Sequence, residues 1–271
     1  MNAKVMLSGL AILALAGSAL AAGPTSTLYL TAGDQFRNLI VPAGTTTPIV
    51  SVQNENSGRG EYAIAISGGT IRTGGNGQFG APALGSTYGL NFNYIGPRLA
   101  NPFNNILDGT TDGTYNYGVD FASGAVYRCN LDWSAPTPMF SVPISQPGGG
   151  LGISFDPFNN SLWIANGNQT VTDYSMSGAR LSSFNTPGSY DFALAFDGAD
   201  GTLWAMTDFY TGIFKQYSTS GTLLQSMNLG TTFNIIGGEF ALVPEPATLS
   251  LLTLGILGLT LLRRCRKSSP F

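Results

Sequence analysis

The chain has 271 residues, of which only 10% are charged and 11% aromatic, with 36 Gly, 15 Pro and a formal net charge of −3. That balance excludes a charge-rich helical bundle, and the aromatic content excludes a disordered tail. There is no histidine, which removes the commonest general base, the serine-hydrolase relay and His-ligated zinc together.

The first element in chain order is an address. Lys4 is a short basic region, Val5–Ala16 an apolar one, and Ala19-Leu20-Ala21 a small-x-small cleavage site before Ala22. Residues 1–21 are expected to be a signal peptide, processed at Ala19, Ala21 and Ala22, because the apolar run is too short for a spanning anchor. Residues 22–242 are then the extracellular body. Five of the chain's bases lie in the two ends (Lys4, Arg263, Arg264, Arg266, Lys267), which leaves the body acidic and argues against a nucleic-acid or anionic-lipid partner.

The body is Gly-rich, aromatic and poor in charge, which reads as short strands joined by tight turns. It also repeats. The stretch from Leu151, "LGISFDPFNNSLWIANGNQTVTDYSMSGARLSSF", aligns with "FALAFDGADGTLWAMTDFYTGIFKQYSTSGTLLQSM" from Phe192. Phe155 matches Phe196, Asp156 matches Asp197, Trp163 matches Trp204, Tyr174 matches Tyr217 and Gly178 matches Gly221. Each unit contains four strand-sized pieces separated by Asn/Gly and Ser-Gly turns, the size of one propeller blade. Fainter copies lie upstream: Gly124 falls at the place of Gly212, and "GEYAIAIS" from Gly60 resembles an opening strand. The segment from Ser26 to Val52 lacks a first strand of its own, while "GGEFALV" (Gly237–Val243) is a first strand with nothing after it. That arrangement predicts a ring closed by the C-terminal strand completing the N-terminal blade. The expected fold is all-β, a propeller-like body of about five four-stranded blades, with a β-sandwich or jelly roll as the alternative. The stretch Gly74–Asn105 fits the period poorly. Over residues 112–229 the pattern resembles propellers of the NHL and SMP-30 type. The six repeat-core aromatics, Phe155, Trp163, Tyr174, Phe196, Trp204 and Tyr217, are expected to pack between blades, in preference to the two tryptophans forming a sugar-stacking platform.

No catalytic or metal-binding residue is assigned and no cofactor is expected. Asp197 and Asp200 flank a Gly turn, which hints at calcium, but they lack the acid ladder of a true loop, and the twin stretch Asp156–Asn160 has one acid. A hairpin turn explains both. Asp112, Asp120, Asp132, Asp173, Asp191 and Asp208 are candidates for a carboxylate pair that only the fold can assemble. Several acids converging at one mouth of the central channel would favour an enzyme. A channel lined by Gly, Ser and aliphatic residues would favour a non-catalytic body. Gly148–Gly150 reads as a loop, and Cys129 as a buried structural thiol.

The last element begins at Pro244-Glu245-Pro246, two prolines that force an extended, unpaired segment. Ala247–Leu262 follows without a charge, sixteen residues that would span about 24 Å as a helix, and Arg263, Arg264, Arg266 and Lys267 come directly after it. By the positive-inside rule the tail is cytoplasmic and the body outside, the topology a signal peptide also demands. Cys265 therefore lies across a membrane from Cys129, and no disulfide between them is expected. Proline-framed glutamate, apolar helix and arginine cluster together resemble the PEP-CTERM sorting signal of Gram-negative bacteria. The resemblance covers about thirty residues, 243–271, with 247–262 as the transmembrane helix. It implies export, transient anchoring in the inner membrane and processing by the transpeptidase exosortase, often alongside exopolysaccharide and biofilm production. The expected function is that of an exported cell-surface or matrix protein with a non-catalytic body that binds extracellular polysaccharide or other envelope proteins. The alternative is a secreted carboxylate-dependent glycan-active or lactonase-like propeller enzyme.

Overall fold

The computed structural model describes residues 23–32, 37–52, 61–75, 84–100, 105–144, 151–167, 169–186, 192–208, 211–229 and 235–241. The expected signal peptide, the sorting segment from Pro244 to Lys267 with its helix, and Asp191 lie outside the described residues. Twenty strands form five antiparallel four-stranded sheets, and no helix occurs among the described residues. A sandwich or jelly roll is thereby excluded.

The first blade contains β1 (Leu28–Ala32), β2 (Arg37–Val41) and β3 (Ile49–Val52). The second runs through β4 (Glu61–Ser67), β5 (Thr70–Gly75), β6 (Leu84–Gly89) and β7 (Tyr94–Ala100). The third is β8 (Ile106–Thr111), β9 (Asn116–Asp120), β10 (Ala125–Cys129) and β11 (Thr137–Ser141). The fourth is β12 (Ile153–Asp156), β13 (Ser161–Ala165), β14 (Thr170–Ser175) and β15 (Arg180–Asn185). The fifth is β16 (Leu194–Asp197), β17 (Thr202–Asp208), β18 (Ile213–Ser218) and β19 (Leu223–Asn228). The final strand, β20 (Ile235–Phe240), pairs with β1, Leu28 opposite Phe240 and Leu30 opposite Gly238, and completes the first blade in the order β20-β1-β2-β3.

The inner strands β4, β8, β12, β16 and β20 each pack on the next, and β20 packs on β4, so the ring is closed. Closure hides the edges that an open stack would expose. β20 starts two residues earlier than its sequence suggests. Its glycines mark close backbone approach inside the strand rather than its start. A Cβ on Gly237 would lie 2.2 Å from the Tyr62 carbonyl oxygen of β4, and 2.6 Å from Thr31 Oγ1.

Burial runs radially. Every residue of β8, β12, β16 and β20 is buried, whereas β11 and β15 have no buried residue and β19 has only Met227. An inner strand lies between two neighbouring blades, so both of its faces are covered and the alternation of a half-buried sheet disappears. Trp163 joins Leu194, Phe196 and Leu203 of the fifth blade in one cluster, and Trp204 joins Leu28 and Leu30 of the first in another. The two hold the same register: Trp163 lies opposite Ser154 and Asp173, Trp204 opposite Ala195 and Gln216.

The Ser-Gly turns also serve the junctions. Gly178 (φ +87°) and Gly221 (φ +86°) sit on the preceding blades, where a Cβ would approach Phe140 to 2.7 Å and Phe184 to 2.4 Å. Left-handed backbone and lack of space both require glycine there. Residues 74–105 depart from the period because the second blade lacks the Asp…Leu-Trp frame. Its β5–β6 pairing covers Thr70–Arg72 alone, and the β6–β7 register breaks twice.

Candidate functional site

The axis of the ring is plugged by a carboxylate. Asp108, in β8, is fully buried. Its Oδ2 accepts from the backbone N–H groups of Ile153 (3.1 Å) and Leu194 (3.0 Å), and its Oδ1 from Gly109 (2.9 Å) and Gly238 (3.0 Å). One side chain of the third blade thus ties the inner strands of the fourth, fifth and first. Two further contacts do the same between neighbours: Phe155 N–H donates to Thr110 Oγ1 (2.9 Å), and Phe196 N–H to Ser154 Oγ (2.8 Å). Five inner strands side by side leave N–H groups facing the axis with no strand to pair with. Buried donors need acceptors, and these side chains supply them.

Glu239, in β20, is the second axial acid. Its Oε1 accepts from Thr110 Oγ1 (3.0 Å), and its Oε2 is buried without a hydrogen-bond partner. Burial pushes the Glu239 carboxyl well above the usual carboxylate range, and the Asp108 charge adds to it. Burial also raises Asp108, but its four backbone donors pull the other way. Those donors occupy both oxygens of Asp108, so the proton of the pair belongs on Glu239.

The consequence is a pH dependence. A carboxyl raised on folding stabilises the native state most below its unfolded pKa of about 4.3, and that stability is lost as pH rises toward the folded value. Glu239→Gln carries no titrating proton. Its urea midpoint is expected to fall less between pH 4.5 and pH 8 than the parent's. Parallel pH profiles for the two proteins would refute the assignment.

A different kind of site lies off the axis. A cleft of about 470 Å³ opens between the fourth and fifth blades, lined by Asp156, Phe158, Asn159, Trp163, Asp173 and Phe196 among others. The turn after β12 places Phe158, 69% exposed, edge-on to Phe196 with ring centroids 5.8 Å apart. Asp156 Oδ2 accepts from Trp163 Nε1 (3.2 Å) and Oδ1 from the Phe158 N–H (2.9 Å). Asp173 is only 3% exposed. Its Oδ2 accepts from Asn159 Nδ2 (3.1 Å), while its Oδ1 has no hydrogen-bond partner. Burial raises the Asp173 carboxyl, the Asn159 amide opposes the shift, and the Asp156 charge reinforces it. Among the described residues no cluster of three or more His, Cys, Asp or Glu side chains is arranged to hold a metal.

The other acids suggested by the sequence are dispersed. Asp112 caps its own turn through the Thr114 and Tyr115 N–H groups (both 2.7 Å) and the Tyr117 hydroxyl (2.6 Å). Asp120 does so through Ala122 and Ser123, and Asp132 through Ser134, whose hydrogen bonds hold its carboxyl below the usual range. Asp208 ends β17, and Asp173 lies in the cleft. Asp197 and Asp200 are both occupied by protein donors: Ser26 N–H and Oγ on Asp197 (2.8 and 2.7 Å), Thr25 Oγ1 on Asp200 (2.6 Å). Cys129 is buried beside Trp133, and burial together with the Asp132 charge pushes its thiol up to about 12, leaving no thiolate near neutrality. The repeat-core residues Phe155, Trp163, Tyr174, Phe196, Trp204 and Tyr217 are all buried.

Three buried acids were not singled out by sequence: Asp108, Glu239 and Glu61. The last accepts from Thr73 Oγ1 (2.5 Å), Ser86 Oγ (2.6 Å) and Tyr88 OH (2.8 Å) inside the second blade. The available signal was an acid within a first-strand segment, as in "ILDGTT" and "IIGGEF".

The model of the PEP-CTERM protein-sorting motif matches residues 242–267. The chain thus carries that sorting signal behind a five-bladed propeller, which implies an exported protein processed by an exosortase and transiently anchored at its C-terminus. The fold is similar to a chain of the nidogen/laminin complex, with a TM-score of 0.57 and 10% identity over 79% of this chain and 98% of that one. It is also similar to a protein of unknown function from Bacteroides thetaiotaomicron VPI-5482, with a TM-score of 0.52 and 12% identity over 80% of this chain and 62% of that one. At such identities the likeness concerns the fold alone. No curated protein matches the chain.

Proposed function

We propose that the protein is a non-catalytic binding or structural component of the cell surface or extracellular matrix of a Gram-negative bacterium. In this reading, residues 1–21 direct export and are removed. The apolar helix 247–262 then holds the precursor in the inner membrane with Arg263, Arg264, Arg266 and Lys267 in the cytoplasm. An exosortase acts near Pro244-Glu245-Pro246, and residues 22–242 pass to the outer surface, in company with exopolysaccharide or other envelope proteins. The observation that supports a non-catalytic body is the sealed axis. The acids that converge there are Asp108, with no exposure, and Glu239, 3% exposed, and Asp108 is saturated by four backbone donors. A general acid or base needs a substrate within hydrogen-bond reach, and these two face none. The enzyme reading keeps one foothold, the Asp156–Asp173 pair in the lateral cleft.

Sorting is tested in cells. Replacing Glu245 with Ala, or deleting Arg263–Lys267, is expected to leave most of the protein as an unprocessed inner-membrane precursor, read by size on fractionated membranes. Normal processing and release of both variants would overturn the reading. For the body, a hydrolysis screen of the released protein on glycans and lactones is expected to show no turnover, and turnover lost in Asp156→Asn would favour the enzyme.

A further inference from the structure

Two junctions of the ring carry the same polar framework, and only one of them is filled. Between the fourth and fifth blades stand Asp156, Asn159, Ser161, Asp173 and Ser182. The equivalent positions between the fifth and first are Asp197, Asp200, Thr202, Gln216 and Gln225. Register supports the match: Asp173 lies opposite Trp163 and Ser182, and Gln216 opposite Trp204 and Gln225. Internal bonds match too. Ser161 Oγ donates to Asn159 Oδ1 (2.5 Å) as Thr202 Oγ1 donates to Asp200 Oδ1 (2.6 Å). Asn159 Nδ2 donates to Asp173 Oδ2 (3.1 Å), where Gln216 Nε2 donates to Asp200 Oδ2 (3.2 Å).

At the fifth–first junction the chain fills the framework itself. The extended segment leading into β1 places Ser26 N–H and Oγ on Asp197, at 2.8 and 2.7 Å, and Thr25 Oγ1 on Asp200, at 2.6 Å. Gln225 Nε2 donates to the Gly23 carbonyl (3.1 Å), and Gly44 N–H to the Pro24 carbonyl (2.7 Å). At the fourth–fifth junction no such segment occurs among the described residues. The cleft there has a volume of about 470 Å³, and one oxygen of the buried Asp173 lacks a partner. Where the filled junction has the small Ala199, the open one has Phe158, 69% exposed. Phe158, packed edge-on to Phe196, thus stands at the rim of a cleft that holds an unfilled acceptor.

We infer that the cleft between the fourth and fifth blades is a docking site for an extended peptide segment of another exported protein, one that offers adjacent Thr and Ser hydroxyls and a backbone N–H to Asp156 and Asp173, with Phe158 closing over it. The inference rests on the binding-body reading above and names its ligand class. The filled junction shows what this framework accepts: consecutive hydroxyl and N–H donors on an extended backbone. Both junctions carry two acids, but the open cleft has its second at Asp173 in β14, where the twin has Gln216, and Asn159 where the twin has Asp200.

The test uses the mature secreted protein and the synthetic peptide Ala-Gly-Pro-Thr-Ser-Thr, the sequence of residues 22–27. Binding is followed by calorimetry and by the fluorescence of Trp163, which lines the cleft. A dissociation constant below about 1 mM is expected, the range of a short unconstrained peptide. Asp156→Asn keeps the side-chain shape and is expected to weaken binding at least tenfold, and Phe158→Ala at least threefold. Phe158 is mostly exposed, so its variant keeps the parent's melting temperature and separates loss of contact from loss of fold. Ala-Gly-Pro-Ala-Ala-Thr, without the two hydroxyls, is expected not to bind. Equal binding of the two peptides, or parent-like binding by both variants, overturns the proposal. So does binding of oligosaccharides in the cleft with no response to the peptide, an outcome that leaves the binding-body reading standing. Glycan turnover in the same cleft sinks both.

Discussion

Asp108→Ala is expected to lower the melting temperature of the secreted protein by about 10–20 °C. The substitution leaves the N–H groups of Gly109, Ile153, Leu194 and Gly238 without their acceptor at a site with no exposure to solvent. Each orphaned donor costs about 1–3 kcal/mol, though the four do not add independently. A total of about 5 kcal/mol is a large share of the 5–15 kcal/mol typical of a domain, and for a chain of this size it corresponds to the stated shift. Asp108→Asn supplies a useful comparison. Its amide nitrogen faces two of the four donors while its oxygen still accepts from the other two, so it is expected to fall between Ala and the parent. A melting temperature within 2 °C of the parent for Asp108→Ala would show that the axial carboxylate does not hold the ring.

Gly237→Ala is expected to have the second-largest effect, at least about 3 kcal/mol in a denaturant titration. The added Cβ would lie 2.2 Å from the Tyr62 backbone oxygen and 2.6 Å from Thr31 Oγ1. The Tyr62 oxygen is backbone, and the Thr31 hydroxyl is held in place by its hydrogen bond to that same carbonyl, so β20 must withdraw from β4, at a cost at or above the usual range for overpacking. Withdrawal also strains the neighbouring Gly238 N–H bond to Asp108, at 3.0 Å, and loosens the strand that closes the ring. Partial opening exposes the edge of β1, so the variant is also expected to aggregate on heating, visible by light scattering. A variant as stable as the parent, with no change in aggregation, would mean that the closing strand tolerates displacement.

The two best-aligned units were legible because they keep the same local chemistry: Asp before a turn, Leu-Trp after it, Ser-Gly between the outer strands. The second blade was not, since "TIRTGG" and "LGSTYG" lack those marks. Closure by the last strand was anticipated from an incomplete beginning and a surplus end, with an error of two residues at the start of β20. The five candidate aspartates among the described residues illustrate the opposite case. Acids in turns are conspicuous in a sequence, but Asp112, Asp120 and Asp132 spend their oxygens on their own turns. Asp108 looked like one acid in an apolar strand, and nothing within a few residues of it reveals that Ile153, Leu194 and Gly238 converge on it.

The sequence by itself determined the strand content, the repeat, the manner of ring closure and the sorting motif at 242–267. These depend on turn chemistry, residue spacing and hydrophobic runs, which act over a few residues. Only the tertiary structure decided which carboxylates plug the axis, which junction is filled by Thr25 and Ser26, and which is left open at Asp173. Those outcomes follow from blades meeting across more than 40 residues of chain. Whether a buried oxygen finds a donor there depends on the neighbouring blade, and no local pattern in either segment records the answer.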